Sequence, residues 1–167
     1  AVKTYVVTFE IGSATLVSGD LVQMVAHGES ATAVEVSLVG HTFVGWSEDF
    51  DNVTEDLVVE AIFTPVIHTV EFIIEGTYIS GDLIQLVSYG ESAVAPVYEN
   101  GDMILDFDVA FDIITSDLII NGVWLEPFTV TFTFDEGSLV EGELVQVVGE
   151  GRSATPPTII REGFHLS

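Results

Sequence analysis

The stretch Gly19-Asp20-Leu21-Val22-Gln23-Met24-Val25 decides the fold, because the chain contains it in three versions. The later versions are Gly81-Asp82-Leu83-Ile84-Gln85-Leu86-Val87 and Gly142-Glu143-Leu144-Val145-Gln146-Val147-Val148, which begin 62 and then 61 residues further on. A second marker, Gly28-Glu29-Ser30-Ala31, returns from Gly90 and from Gly151 at the same two offsets. Two markers that share one spacing predict a tandem repeat.

The repeat divides the 167 residues into three copies, at residues 1–65, 66–126 and 127–167. The third copy lacks counterparts of residues 47–63. Either the sequence stops at an arbitrary boundary, or an adjacent subunit supplies the missing strands. We predict that glycines of the markers and recurring aromatic residues anchor the repeat structurally. These anchors are Gly19, Gly81, Gly142, Gly28, Gly90, Gly151, Trp46, Phe107, Phe63 and Trp124.

The composition is strongly acidic, with 27 Asp and Glu against three Lys and Arg and a formal net charge of -24. Binding to nucleic acid or to an anionic membrane needs clustered cations, so both are excluded as partners. The chain is nevertheless 48% apolar, which predicts a folded protein rather than an acidic tail. It has no cysteine, and no apolar run reaches the roughly 18 residues needed to insert into a membrane.

Within each copy the apolar residues alternate, as in residues 5–11, which is the period of a half-buried strand. Further strands are predicted at residues 21–25, 42–46 and 57–63 and at their counterparts. Gly12-Ser13 predicts a hairpin turn between the first two strands, and Pro96 predicts a loop or a single short helical turn. The sequence therefore predicts a mainly β protein in which each copy forms a small mixed or antiparallel sheet.

Four segments carry a resemblance to a known family. They are G-H-T-F-V-G-W-S-E-D (Gly40 to Asp49), D-L-V-V-E-A-I-F (Asp56 to Phe63), V-S-Y-G-E-S-A-V-A-P (Val87 to Pro96) and D-L-I-I-N-G-V-W (Asp117 to Trp124). Over essentially the whole chain the sequence resembles the Listeria-Bacteroides repeat, also called the internalin B-repeat family. Asp106-Phe107 departs from its Gly-Trp pair, and Val34 departs from its usual proline. The resemblance implies β-grasp-like α+β modules of bacterial surface or secreted proteins, without a catalytic motif.

Two kinds of residue are candidates for a ligand site. Trp46 and Trp124 could stack against sugars, but aromatic residues recur at these positions between copies, which favours a role in the core. Carboxylates could hold calcium, although their spacing differs from that of a dedicated calcium loop and a solvated acidic loop is the simpler interpretation. The calcium candidates are Asp49, Asp51, Glu55, Asp108 and Asp112, and no other cofactor is predicted.

No residue pattern indicates catalysis, so the chain is predicted not to be an enzyme. The histidines differ from copy to copy, which favours surface positions; they are His27, His41, His68 and His165. The serine of the second marker does recur, but without a recurring histidine, which favours a turn role over a nucleophile. It stands at Ser30, Ser92 and Ser153.

The predicted strands carry apolar residues on both faces, and a free-standing module of about 60 residues would expose the outer set. We therefore expect neighbouring copies or chains to cover these faces, in a stalk or self-associating fibre. The expected function is a structural or adhesive segment located outside the cell, with self-association and a cell-surface protein or glycan as partners. The alternative is a carbohydrate- or calcium-binding module.

Overall fold

The structure is a computed structural model that describes residues 2–135 and 137–160. These residues form sixteen strands and no helix, so the predicted mainly β fold is confirmed. The strands are β1 (Thr4–Glu10), β2 (Thr15–Ser18), β3 (Val22–Ala26), β4 (Glu35–Ser37), β5 (His41–Trp46), β6 (Leu57–Pro65), β7 (Ile67–Ile73), β8 (Thr77–Ser80), β9 (Ile84–Ser88), β10 (Val97–Glu99), β11 (Ile104–Phe107), β12 (Leu118–Leu125), β13 (Pro127–Thr131), β14 (Ser138–Glu141), β15 (Val145–Gly149) and β16 (Thr158–Ile160).

The first copy contains a mixed four-stranded sheet with the strand order β3-β1-β6-β5. β1 runs antiparallel to β3 and parallel to β6, whereas β5 runs antiparallel to β6. Because side chains alternate along a strand, one face of β1 is buried and the other is largely open to solvent. The core under this sheet consists of Tyr5, Val7, Phe9, Val25, Ala31, Val34, Val53 and Val59.

The second copy has a sheet of the order β11-β12-β7-β9, in which Val70 and Phe72 of β7 are buried as Val7 and Phe9 are in β1. In the third copy β13 pairs with β15 only, and the described residues place no strand parallel to β13. Phe132 is consequently only partly buried. Each copy also has a two-stranded sheet, formed by β2 and β4, β8 and β10, or β14 and β16.

These two-stranded sheets correct one sequence-based prediction. The connection at Gly12-Ser13 is not a hairpin turn between β1 and β3, because β2 intervenes and pairs with β4 instead. All four residues of β2 are exposed, so β2 lacks the buried alternation that reveals a strand in a sequence. The Pro96 segment is a loop without a helical turn. Residues 163–166, the last repeat match, lie outside the described residues.

The chain divides into two compact units. The first comprises Ala1–Thr69, Leu86–Ala93 and Phe111–Leu118, and the second comprises Val70–Gln85, Val94–Ala110 and Ile119–Ser167.

The first marker glycine adopts a positive φ in all three copies, namely 98° at Gly19, 105° at Gly81 and 92° at Gly142. A Cβ at these positions would lie 3.0 Å from Val34, 2.8 Å from Pro96 and 3.1 Å from Pro157, respectively. Only glycine combines this backbone conformation with so close an approach. Val34 and the two prolines occupy matching positions, so the departure from proline at Val34 leaves the contact in place.

Candidate functional site

The glutamine of the first marker fastens a loop to the sheet. In the first copy the Nε2 of Gln23 donates to the carbonyls of Thr32 (2.7 Å) and Asp20 (3.0 Å). Its Oε1 accepts the N–H of Thr32 at 2.8 Å. The side chain amide thus makes the paired bonds that a neighbouring strand would make, and it satisfies both main-chain groups of Thr32.

The two later glutamines make the same three bonds. Gln85 bonds both main-chain groups of Val94 and the carbonyl of Asp82, at 2.6 to 2.9 Å. Gln146 bonds Thr155 and Glu143 in the same way, at 2.6 to 2.9 Å. The glutamine that recurs in sequence therefore has a framework contact in each copy.

The second marker ties the following loop to the acidic loop of the same copy. The amide of Gly28 donates to the carbonyl of Val53 at 2.8 Å, and Ser30 Oγ donates to the carbonyl of Asp51 at 2.6 Å. The counterpart amide of Gly90 donates to Ile114 at 2.7 Å. Ser30 thus acts on main-chain geometry, where a turn residue acts.

Trp46 is partly buried and packs against the core of the first copy. Its ring meets Phe9 edge-on with centroids 4.9 Å apart, and Phe43 at 5.4 Å. Phe107, its counterpart, meets Phe72 at 5.8 Å in the second copy. The aromatic position therefore packs against the same buried phenylalanine of the first strand in both copies.

Phe63 and Trp124 occupy matching positions near the ends of β6 and β12, but their surroundings differ. In the second copy Trp124 Nε1 donates to the carbonyl of Glu75, and the indole lies against Gly76, where a Cβ would be 3.1 Å away from it. Ile74 covers Gly122, at which a Cβ would lie 2.7 Å from Ile74 Cγ1. The space beside β12 is thus filled.

The matching place beside β6 is an open cleft of about 460 Å³. β1 ends at Glu10 whereas β6 continues to Pro65, so the cleft lies where β6 outlasts its parallel neighbour. Sequence reasoning missed this cleft. Two signals were available: Phe63 stands where the second copy has Trp124, and the connection from β1 to β2 (residues 11–14) is one residue longer than that from β7 to β8 (residues 74–76). The cleft is lined by Glu10, Ile11, Gly12, Ser13, Leu38, His41, Glu60, Ala61 and Phe63.

The calcium candidates are not brought together as a site, since the described residues contain no group of three or more His, Cys, Asp or Glu that could hold a metal ion. Asp49 Oδ1 accepts the N–H of Asp51 at 3.0 Å, which is a turn contact. Asp108 Oδ1 accepts the N–H of Asn121 at 2.8 Å and its Oδ2 accepts Nδ2 at 2.6 Å. These bonds lower the pKa of Asp108 below its usual 3.8. Glu55 and Asp112 are exposed.

Two histidines flank Tyr89 where the first copy is followed by the second. The Tyr89 ring lies 6.3 Å from that of His41 and 6.2 Å from that of His68. A Cβ on Gly40 would overlap the tyrosine ring at 2.0 Å, so glycine is required there. His68 Nδ1 lies 3.5 Å from Asp117 Oδ1, which also accepts the N–H of Thr69. His41 and His68 therefore pack against the Tyr89 ring.

An outward apolar pair recurs on the strand that follows the first marker. Met24, Leu86 and Val147 are 71%, 76% and 63% exposed, and their partners two residues earlier are also exposed. β3 and β9 are edge strands of their sheets. The pairs are Val22 with Met24, Ile84 with Leu86, and Val145 with Val147; we call them the outer pairs.

No family model, curated protein or solved structure matches this chain. Within the described residues there is no helix of the length and hydropathy that crossing a bilayer requires.

Proposed function

We propose that this chain is a non-enzymatic structural and adhesive segment of an extracellular bacterial protein, built from repeated modules that associate into a stalk or fibre. The resemblance to the Listeria-Bacteroides repeat supports the bacterial surface as its location. The observation that carries the proposal is the outer pair, an exposed apolar patch that the chain presents at the same strand position in all three copies.

The recurring residues support this assignment because they work inside the framework. Gln23, Gln85 and Gln146 fix one loop per copy through the same bonds. In a chain of repeated modules, the number of modules determines the length of the segment, and each module carries the same surface patch. Weak contacts at such repeated patches add up when the geometry lets several engage together.

Charge and apolar surface act in opposite directions in this proposal. Burial of an exposed apolar side chain contributes about 25 cal/mol per Å² removed from water. Repulsion between chains of net charge -24 opposes close contact, but salt screens it beyond about 8 Å at physiological ionic strength. Association through the outer pairs should therefore strengthen as salt is raised, whereas association through ion pairs would weaken.

Sedimentation of the full chain over a range of protein and salt concentrations tests the proposal. We expect the mean mass to rise with both, and to stay at one chain when the six outer-pair residues are replaced by threonine, which retains strand propensity. Exposed valines outside the outer pairs provide matched controls, and their replacement by threonine should leave association intact. Suitable controls are Val39, Val94 and Val140. A compact single chain under all conditions would refute the fibre.

A further inference from the structure

The cleft beside β6 opens on the inward face of the first sheet. Ala61 and Phe63 point to the side of β6 that carries the core, and Ile11 continues the inward series of β1. Glu10 and Glu60 belong to the outward face, so their carboxylates point away from these side chains. The side chains that β1 and β6 offer to a molecule in the cleft are therefore apolar.

Two differences between the copies open the cleft. In the second copy Ile74 lies over Gly122, at which a Cβ would be 2.7 Å from Ile74 Cγ1. Ala61 is the counterpart of this glycine and has that Cβ, so Ile11 cannot take the matching place. Phe63 is also smaller than the tryptophan of the second copy. Together these two differences leave about 460 Å³ unfilled.

The second copy shows which group this space accepts. There the indole of Trp124 lies against Gly76, and its Nε1 donates to the carbonyl of Glu75 in the turn between β7 and β8. The corresponding turn of the first copy, between β1 and β2, contributes Gly12 and Ser13 to the cleft. No main-chain N–H of the described residues donates to either of their carbonyls, so acceptors for an indole N–H are present.

Aromatic rings border the cleft on its sheet side. Phe63 lines it and meets Phe43 edge-on, with the ring centroids 5.4 Å apart. Phe43 in turn meets Trp46 at the same centroid distance. Edge-on contacts between rings stabilise a pair beyond the area that the pair buries. A further ring can extend this series, whereas an aliphatic side chain would gain only from the buried area.

A second copy of this chain is a poor source of that ring. Both tryptophans of the chain are engaged within their own modules, Trp46 against Phe9 and Trp124 through its bond to Glu75. Repulsion between two chains of net charge -24 also opposes the contact. A partner without this strong acidity avoids the repulsion.

We propose that the cleft binds a tryptophan side chain exposed on a partner protein that is not itself strongly acidic. The indole lies on Ala61 and Phe63, and its N–H donates to a carbonyl of the Gly12-Ser13 turn. This inference rests on the proposed adhesive function, for which it identifies a residue type of the partner. The second copy fills the matching space with Trp124, so the chain has this site in the first copy and not in the second.

Titration of the full chain with a capped tripeptide, a tryptophan between two glycines, tests the proposal. At low ionic strength we expect saturable shifts of Ser13, Ala61 and Phe63 in the ¹H–¹⁵N spectrum. Nuclear Overhauser effects should connect the indole ring with the Ala61 methyl group. The tripeptide with leucine in place of tryptophan should bind about tenfold more weakly. Equal binding of the two peptides would overturn the site.

A third peptide tests the hydrogen bond of the indole. With 1-methyltryptophan at its centre, the tripeptide presents a similar ring whose nitrogen cannot donate. We expect it to bind about fivefold more weakly than the tryptophan peptide. Equal affinity would contradict the assigned contact with the Gly12-Ser13 turn.

Variants of the protein complete the test. Phe63→Trp should abolish the shifts, because an indole of the chain itself then fills the cleft. Phe128→Trp is the matched control, since it makes the same exchange at an exposed position of the third copy and should leave affinity within twofold. Ala61→Val narrows the cleft with a residue that favours strands and should weaken binding about tenfold. Binding that survives both Phe63→Trp and Ala61→Val, or that is lost equally in Phe128→Trp, would overturn the proposal.

The titration is made on chains that sediment singly, so it does not depend on association through the outer pairs. Loss of association with peptide binding intact would refute the fibre and leave the cleft site standing. Failure of the tryptophan peptide to bind, with association intact, would overturn the cleft site alone.

Discussion

The space beside β6 and the space beside β12 occupy the same place in two copies of one framework, yet one is an open cleft and the other is filled. Trp124 and Ile74 fill the second, whereas Phe63 and Ala61 leave about 460 Å³ open in the first. β5 runs antiparallel to β6 as β11 does to β12, but the pairing of β5 with β6 shifts register between Phe43 and Gly45, whereas that of β11 with β12 is regular. The difference shows that this position is free to vary without loss of the fold.

Filling a space and opening one have different consequences for a repeat protein. The filled position adds contacts to its own module, and its glycine Gly122 is needed because Ile74 and Leu105 lie so close. The open position beside Ala61 and Phe63 gives up those contacts. The repeat therefore tolerates looser packing in one copy than in the other at the same position.

Removal of the filling side chain should have the largest effect. We expect Trp124→Ala to destabilise the second copy by about 3 kcal/mol, because it leaves a void and removes the hydrogen bond to Glu75. Urea unfolding followed by far-ultraviolet circular dichroism, with hydrogen exchange of β7 and β12 to locate the loss, measures it. Phe63→Ala in the first copy should lose about 1 kcal/mol, since its ring already borders open space. Equal losses would contradict the comparison.

Replacement of Gly122, or of its counterpart Ala61 in the first copy, should have the next largest effect. Gly122→Ala places a Cβ 2.7 Å from Ile74 Cγ1 and 3.0 Å from Leu105 Cδ1. We expect a loss of about 2 kcal/mol from this overpacking, larger than the gain from a less flexible unfolded chain. The reverse change, Ala61→Gly, should lose only about 0.5 to 1 kcal/mol through strand flexibility. A neutral or stabilising Gly122→Ala would show that the side chains of Ile74 and Leu105 give way.

The sequence predicts the repeated parts of this comparison and not the differing ones. Alternation in residues 5–11 predicts β1 and its buried face, and recurrence predicts that Gln23 has counterparts. Neither predicts β2, whose residues are all exposed, nor the parallel pairing of β1 with β6, which depends on a long connection. The cleft depends on the smaller side chain of Phe63 where the second copy has Trp124. A search for similarity between copies treats both as the same aromatic position and does not detect this difference.

Conversion of the first copy towards the second should have a smaller effect on stability. Phe63→Trp puts a larger ring into space that is already open, so we expect the free energy of unfolding of the first copy to change by less than about 1 kcal/mol. The chain has two tryptophans, Trp46 in the first copy and Trp124 in the second, so the variant is best followed by hydrogen exchange of β6 rather than by fluorescence. A loss above this size would mean that the cleft cannot accept an indole, and that Phe63 is held in place by its neighbours.

The smallest effect should come from a second pair of matching positions, Ser47 and Asp108. Each side chain accepts a hydrogen bond from the matching main-chain N–H of β6 or β12, but one acceptor is a hydroxyl and the other a carboxylate. Ser47 Oγ accepts the N–H of Glu60 at 2.9 Å, and Asp108 Oδ1 accepts that of Asn121 at 2.8 Å. Hydrogen bonds from Asn121 lower the pKa of Asp108 below 3.8 in the folded chain. Its stabilising contribution is therefore complete above pH 3.8 and is lost as the pH falls through the folded pKa.

Carbon-detected NMR titration of the Asp108 carboxylate should give a midpoint below 3.8. Asp108→Ser should remove this part of the acid sensitivity from the second copy and leave the first copy unchanged. A midpoint at or above 3.8 would show that the bonds to Asn121 do not favour the charged form.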